Sequence, residues 1–304
     1  MNILITGGNG FIAKNLYNHL KLDYNVCAPS KLELDLCDVV AVRDYLYIKR
    51  FDVIIHTANY DAVTKYTTNK PEHTLSYNLQ MFTNLIRNKH LFGKVLCLGS
   101  GAEYDRNQWE YDNVPETYFD KYVPTDPYGF SKYLISKYAE ETNFITILRL
   151  FGVYGPHDKW LDKFISNACC RSLTNLPIII YEDKKIDYLY IDDLCKIISI
   201  FLKKPYFNKT YNVCSGKNHK LTTIAKHILK CNPKTDIKIL SNNYTLPYGG
   251  DNTRLINEFG NDIIFTSIDT GVQKLYSWYK ENPKSYNKDI LIKQTNKILP
   301  TKKL

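Results

Sequence analysis

No apolar run in this sequence approaches the ~18 residues that a membrane-spanning helix needs, so no membrane partner is expected. The opening residues, Met1-Asn2-Ile3-Leu4-Ile5-Thr6-Gly7-Gly8, lack the basic and cleavage regions of a secretory signal, and a cytoplasmic location is expected. Eight cysteines are present, yet no Cys-x-x-Cys occurs among them and several lie inside apolar runs. That spacing argues against a zinc site or a disulfide framework and for buried, reduced thiols. The net charge is +9, but no basic cluster is interleaved with stacking aromatics, so a nucleic-acid partner is not expected either. Much of the positive excess falls between Lys284 and Lys303, and residues 283–304 read as a basic, solvated tail. The remaining basic balance suits small anionic ligands such as phosphates.

The rest of the composition, 44% hydrophobic and 23% charged over 304 residues, is that of a globular protein with core enough for about two domains. Asn2 to Thr6 is a short apolar run that ends at Gly7-Gly8-Asn9-Gly10-Phe11-Ile12-Ala13, after which Leu16 and Leu20 continue at helical spacing. This predicts a strand, a glycine turn and a helix. Gly7 permits the tight turn, Gly10 lets the backbone approach a pyrophosphate, and Ala13 allows the helix to pack closely on its strand. Gly7, Gly10, Phe11 and Ile12 are therefore candidate cofactor contacts. Strands at Tyr24 to Ala28, Phe51 to His56 and Lys94 to Leu98 alternate with helical stretches at Val39 to Ile48 and Pro71 to Asn88. Such alternation predicts an α/β protein with a parallel, doubly wound Rossmann sheet and a smaller C-terminal α/β part. Ligands gather at the carboxyl ends of such strands, which here carry Gly7, Ser30, Thr57-Ala58 and Gly99-Ser100.

The second strand bears on which dinucleotide is held. Its end reads Cys27-Ala28-Pro29-Ser30-Lys31, with no carboxylate before Glu33 to bond the ribose hydroxyls of NAD. A hydroxyl and a lysine can instead receive a 2′-phosphate, so NADP(H) is favoured over NAD(H), with Ser30 and Lys31 as contacts. Asp35 and Leu36 follow a short turn and are placed beside the adenine.

Tyr128 and Lys132 lie four residues apart in Pro127-Tyr128-Gly129-Phe130-Ser131-Lys132, so on a helix they share a face. A nearby cation favours a phenolate, which makes such a tyrosine a usable proton donor or acceptor near neutral pH. The bare pattern carries little weight in a chain with 25 tyrosines, because it also begins at Tyr17, Tyr45, Tyr66, Tyr133, Tyr181 and Tyr276, where a solvated helix face is the simpler explanation. Context separates Tyr128 from the others.

That context is the N-terminal Thr-Gly-x-x-Gly-x-x-Ala loop, Ser100 just beyond the fourth strand, and Tyr128-Gly129-x-Ser131-Lys132 further on. Arg149 to Pro156, Asp187 to Asp193, Tyr211 to Gly216 and Asp251 to Leu255 continue the pattern through about residue 282. Together these segments resemble the extended short-chain dehydrogenase/reductase family, and within it the nucleotide-sugar epimerases, dehydratases and reductases. The resemblance implies that Tyr128 exchanges a proton at the reacting sugar oxygen. It implies that Lys132 binds the nicotinamide ribose and lowers the phenol's pKa, and that Ser100 bonds the same oxygen. It also implies a homodimer, for which Pro71–Asn88 and Asp126–Thr142 are the candidate helices.

Departures from the family pattern narrow the reaction. The 4,6-dehydratases carry an acidic pair just after the serine; here those positions are Gly101 and Ala102, and Glu103 points away if the segment is extended, so dehydration is not expected. The chain is similar to the GDP-fucose synthases through its Leu-Gly-Ser turn and Tyr154-Gly155-Pro156-His157-Asp158. Those enzymes epimerise with a cysteine and a histidine, whose positions fall here on Ala102 and near Lys163. The expectation is a reductase that acts on C4 of a nucleotide-linked 4-keto-6-deoxy sugar, in surface-glycan sugar biosynthesis, without epimerising. Lys163 and Lys185 are candidate substrate contacts, Lys185 (or Lys184) standing in for an arginine usual at Ile186. His56 and His157 read as structural.

The expected division is a dinucleotide-binding domain of residues 1–155 plus 188–203 and a substrate domain of residues 156–187 plus 204–282. An NAD-dependent 4-epimerase and a non-catalytic dinucleotide sensor are the alternatives. The intact Ser100, Tyr128 and Lys132 argue against the sensor.

Overall fold

Ile3 and Ile5 point to one side of their strand and Leu4 to the other, and this alternation sets up two buried layers. The computed structural model describes residues 1–60, 69–241 and 246–299. Strand β1 (Asn2–Ile5) runs through the glycine turn into α1 (Phe11–Leu20), whose Ala13, Leu16 and Leu20 pack on the Ile3 and Ile5 side. Strand β2 (Asn25–Cys27) pairs with one edge of β1 and β3 (Phe51–His56) with the other, both in parallel. Between them, α2 (Val39–Lys49) is capped by Asp38, whose carboxylate accepts the N–H groups of Val40 and Ala41, and it buries Val42 and Leu46 on the Leu4 side.

Helix α3 (Thr74–Ile86), strand β4 (Phe92–Ser100), helix α4 (Pro127–Glu140) and strand β5 (Ile145–Leu150) extend the same winding. The finished sheet has six parallel strands in the order β2-β1-β3-β4-β5-β9, where β9 is Thr210–Val213. The chain reverses its direction of travel between β1 and β3, so a crevice opens at their carboxyl ends. Helices α2, α3 and α4 cover one face, and α1 with α6 (Ile191–Lys203) covers the other.

The remaining strands lie outside this sheet. Strands β6 (Gly152–Tyr154), β8 (Lys185–Tyr190) and β10 (Asn218–Lys220) form a three-stranded sheet, and β7 (Ile178–Glu182) pairs in parallel with β11 (Ile237–Ser241). Helices α5 (Phe164–Leu173), α7 (Leu221–Cys231) and α9 (Ile268–Glu281) bury Ile165, Ile224 and Leu275 in a core continuous with that beneath α1 and α6. The short α8 (Thr253–Phe259) follows β11.

Two expectations are corrected. Residues 204–282 were assigned to the substrate part, yet β9 lies at the far edge of the large sheet, paired with β5 through Leu148 opposite Tyr211. The stretch from Lys284 is not a solvated tail through its described length. It forms α10 (Lys288–Ile298), which buries Leu291 and gives the buried Arg171 two acceptors, Gln294 Oε1 and Thr295 Oγ1, each at 2.7 Å. The buried Leu291 and these two bonds to a guanidinium that also donates to Asn167 Oδ1 dock this basic helix. All eight cysteines are free thiols; Cys97, Cys169, Cys170, Cys195 and Cys214 are buried, while Cys27, Cys37 and Cys231 are half-buried. Among the described residues no helix is long and apolar enough to cross a membrane.

Candidate active site

The glycine turn is built by close approach. Gly7 has φ +70°, and a Cβ on Gly8 would sit 2.0 Å from the Ala28 carbonyl oxygen, so neither position tolerates a side chain. Gly8, which sequence reasoning left without a role, is the tighter of the two. Gly10 caps α1 with no side-chain hydrogen bond, which leaves the first-turn N–H groups of Phe11 and Ile12 without a capping side chain and open to an anion. Thr6 ties the neighbouring strand end: its hydroxyl oxygen accepts the N–H groups of Thr57 and Ala58, each at 3.1 Å, and meets His56 Nδ1 at 3.0 Å. Burial, reinforced by the Lys132 cation, pushes His56 down to about 3, so it is a neutral structural group as expected.

A cavity of about 500 Å³ lies along this crevice. Gly7, Gly10, Phe11 and Ile12 line it from the turn, Thr57 and Ala58 from the end of β3. Lys31, Asp35 and Leu36 close one end, and Lys163 with the buried Asp158 closes another part of the wall. Tyr77 and Met81 of α3 add an apolar flank that sequence reasoning did not foresee. Size, uncapped helix terminus and glycine turn fit a dinucleotide. Ser30 does not line this cavity. Its N–H donates to Glu33 Oε2 at 2.7 Å, which draws the Glu33 carboxyl below its usual range, its hydroxyl contributing in the same direction. Lys185 lies exposed at the start of β8, away from the cavity, and Lys184 pairs with Glu182 at 2.9 Å. A second cavity of about 510 Å³, on the other side of the glycine turn, is lined by Gly8, Lys14 and His157. His157 stacks edge-on against Trp278, its ring centroid 5.0 Å away.

Ser100, Tyr128 and Lys132 gather at the carboxyl end of β4, the strand beside β3. Helix α4 begins with Pro127 at its first position and Asp126 as its cap, the carboxylate accepting Gly129 N–H at 2.8 Å. A Cβ on Gly129 would lie 2.7 Å from the Ala102 carbonyl oxygen, so glycine here is what lets α4 press against the turn that follows Ser100. Tyr128 is half-buried. Lys132 is buried, and its Nζ donates to the Leu98 carbonyl at 2.9 Å, two residues before Ser100. Asn78 of α3, also unforeseen, accepts Tyr60 N–H at 2.7 Å and donates to Ser131 Oγ at 3.1 Å, while that hydroxyl donates to the Tyr128 carbonyl at 2.7 Å. Of the other tyrosine–lysine pairs, Tyr45 and Lys49 do meet, at 3.2 Å, on the wall of the second cavity; Tyr66 lies outside the described residues.

Ser100 is also an N-cap. Gly101–Tyr104 is a single 3-10 turn, not the extended segment expected, and Ser100 Oγ accepts Ala102 N–H at 3.2 Å. Glu103 does turn away from the cleft, but for a different reason: its Oε1 accepts Ser100 N–H at 2.8 Å, and its Oε2 accepts Ser136 Oγ at 2.6 Å and Arg149 Nε at 2.5 Å. Every oxygen of the one carboxylate on this turn is therefore occupied. Asp187, in the motif where Ile186 replaces an arginine, faces the loop at Ser215 and Gly216 and accepts both their N–H groups, at 2.8 and 2.7 Å.

A glycine turn feeding an uncapped helix, at the switch point of a parallel sheet, defines a dinucleotide-binding α/β protein. Residues 3–214 match the model of the NAD dependent epimerase/dehydratase family, and the chain belongs to that family. It is 28% identical over 301 residues to a GDP-6-deoxy-D-talose 4-dehydrogenase from Aggregatibacter actinomycetemcomitans, covering 91% of this chain and 97% of that one. Among solved structures it resembles a GDP-L-fucose synthetase from Naegleria fowleri bound to NADP, with a TM-score of 0.81 at 15% identity over 93% of this chain and 95% of that one. A dTDP-glucose 4,6-dehydratase from Bacillus anthracis in complex with NAD gives 0.78 at 19% identity, over 96% and 99%. Likeness at these identities speaks for the fold.

Proposed function

We propose that the protein is a nucleotide-sugar oxidoreductase that reduces the C4 keto group of a nucleotide-linked 4-keto-6-deoxy sugar without epimerising it. The observation that carries this reading is the grouping of Ser100, Tyr128 and Lys132 at the end of β4, with Glu103 locked into its ion pair instead of free to take a carbon-bound proton. The 4-dehydrogenase relative supports it, because oxidation at C4 is the same hydride step run in the opposite direction.

In this reading the cavity beside Gly7, Thr57 and Lys31 holds a nicotinamide dinucleotide, which supplies the hydride when bound. Ser100 donates a hydrogen bond to the keto oxygen and stabilises the charge that grows there. Tyr128 delivers the proton to that oxygen, and Lys132, held over Leu98 O, sets the electrostatics of the phenol and orients the ribose. Lys31 is the cation available to a 2′-phosphate and carries the preference for NADP(H), since Lys31 lines the cavity and Ser30 does not. Lys163, which lines the cavity, and Lys185, which does not, remain the lysines proposed to meet the substrate. A homodimer formed through α3 and α4 completes the proposal; light scattering on the purified protein tests it.

The experiment is cofactor oxidation, with NADPH and NADH in parallel, against freshly made GDP-, dTDP-, UDP- and CDP-4-keto-6-deoxy sugars, with products resolved by NMR. Consumption with a product altered only at C4 establishes the reductase. Interconversion of stable nucleotide sugars with no net cofactor use would replace it with a 4-epimerase.

A further inference from the structure

A nucleotide-linked sugar brings a diphosphate, so a site that takes one needs a cation on the sugar's side, away from the dinucleotide. At the position where an arginine is usual, β8 carries Ile186, and Lys184 nearby is paired with Glu182 at 2.9 Å. Tyr248, on the loop between β11 and α8, lies along that position: its N–H donates to Lys185 O and its carbonyl accepts Asp187 N–H, each at 2.9 Å. Its ring stacks on Trp109 at 5.1 Å with 10° between planes and lies 5.4 Å from Phe151. The ring extends from β8 to the turn that follows Ser100, where a Cβ on Gly101 would be 3.1 Å from Tyr248 Oη. Over this ring sits Arg106, its guanidinium carbon 4.8 Å from the centroid.

Asp105 brings Arg106 there. At φ +51°, a left-handed conformation uncommon for a residue with a side chain, it turns the chain out of the turn capped by Ser100 and into a second one, Arg106–Gln108. The Arg106 side chain is exposed and has no hydrogen bond or ion pair among the described residues. Carboxylates of the surrounding segments are engaged elsewhere: Glu103 by Arg149, Glu110 by Lys121 at 2.9 Å, and Asp187 by Ser215 and Gly216. Contact with a ring uses the guanidinium's charge and leaves its five N–H donors without an oxygen. Neither Arg106 nor Tyr248 lines the dinucleotide cavity. We propose that Arg106 grips the diphosphate of the nucleotide-linked substrate, with the Tyr248 ring as the rest that holds its guanidinium ready. The inference rests on the reading of the protein as a nucleotide-sugar enzyme. Parallel N–H groups of one guanidinium match two phosphate oxygens at once, and a side chain already laid on a ring loses little freedom when they arrive. No bond forms or breaks at Arg106; it binds what Ser100 and Tyr128 act on.

Calorimetric titration of the NADPH-loaded protein with GDP, dTDP, UDP and CDP measures this grip without turnover. Arg106→Gln is expected to weaken the best-bound diphosphate by about 10- to 30-fold, and Arg106→Lys, which keeps the charge but not the fork, by about fivefold. NADPH itself should bind both variants within about twofold of the original, which shows the fold intact. Tyr248→Leu, which removes the ring, should weaken the diphosphate about threefold, while Tyr248→Phe should leave it alone. In turnover, Arg106→Gln should raise KM about as much as it raises the diphosphate Kd and leave kcat within about threefold. An unchanged diphosphate affinity in Arg106→Gln, or a loss shared equally by NADPH, overturns the proposal. Binding of none of the four diphosphates overturns it together with the nucleotide-sugar reading. Diphosphate binding that depends on Arg106, in a protein that consumes no 4-keto sugar, keeps the grip and overturns the reductase reading instead.

Discussion

Arg149 Nε meets Glu103 Oε2 at 2.5 Å with both side chains closed off from solvent, and the other oxygen of that carboxylate holds the backbone N–H of Ser100 at 2.8 Å. The ion pair thus fixes the turn on which the proposed catalytic serine sits. Arg149 also donates to Tyr104 Oη at 3.2 Å, and that phenol donates to Asn212 Oδ1 at 2.6 Å, so β4, β5 and β9 are tied by one buried network. Glu103→Gln removes the charge and leaves Arg149 uncompensated. Breaking one side of a buried pair typically costs about 3–5 kcal/mol. Urea unfolding of Glu103→Gln should show a loss of that order; a loss below ~1 kcal/mol would mean that the pair does not anchor the turn.

Tyr128→Phe and Lys132→Met separate proton delivery from cofactor binding. Loss of the phenol should lower kcat by about 10²–10⁴-fold, the usual contribution of a positioned acid, with cofactor affinity nearly unchanged. Lys132→Met should lower kcat and also weaken the cofactor. Cofactor fluorescence titration and single-turnover rates read the two quantities separately. Full activity in Tyr128→Phe would exclude the proposed mechanism.

Lys31 and Glu33 flank the turn where a 2′-phosphate would lie, and they oppose each other. Lys31 is exposed, 3.8 Å from Asp35, and Glu33 is held back on Ser30. Lys31→Ala should weaken NADPH several-fold while leaving NADH alone, and Glu33→Gln should tighten NADPH while leaving NADH alone. Exposed charges interact by roughly 1 kcal/mol or less, so neither change should exceed about fivefold. Calorimetric titration with both nucleotides checks it. Equal effects on NADPH and NADH for Lys31→Ala would remove the basis for preferring NADP(H).

What the sequence made legible was whatever is local in the chain. The glycine turn, the strand–helix alternation, and the Tyr128 and Lys132 spacing are each set by contiguous residues, and each stands where the pattern put it. Ser100 was reachable because it ends a strand whose apolar run is plain. What stayed hidden depends on residues far apart meeting. Glu103 finds its partner 46 positions away, and Tyr104 meets Asn212 108 positions away. Ser30 reads as a cavity contact, yet it does not line the cavity, and the turn folds Glu33 back onto its backbone N–H. The docking of α10 was masked by its lysines, since one buried leucine and a partner for Arg171 leave little trace in composition.

Asp158 offers a test by pH. It lies buried on the cavity wall, where burial pushes its carboxyl up from 3.8 to about 6 against the opposing influence of Lys163, the Lys159 N–H and Ser166. The unfolded chain releases this proton near 3.8 and the native protein only near 6, so between those values the native state binds more protons. Stability contributed by this group therefore falls as pH rises through the window, and the penalty is complete above about pH 6. At 1.36 kcal/mol per unit it amounts to about 3 kcal/mol at most. Asp158→Asn cannot ionise and escapes it. The variant should match the wild type near pH 4, gain on it up to about pH 6 and hold a constant lead above that, a difference in which other titrating groups largely cancel. Urea unfolding at several pH values measures it. A stability difference that is constant with pH would show that Asp158 ionises normally and that the cavity wall is wetter than its burial implies.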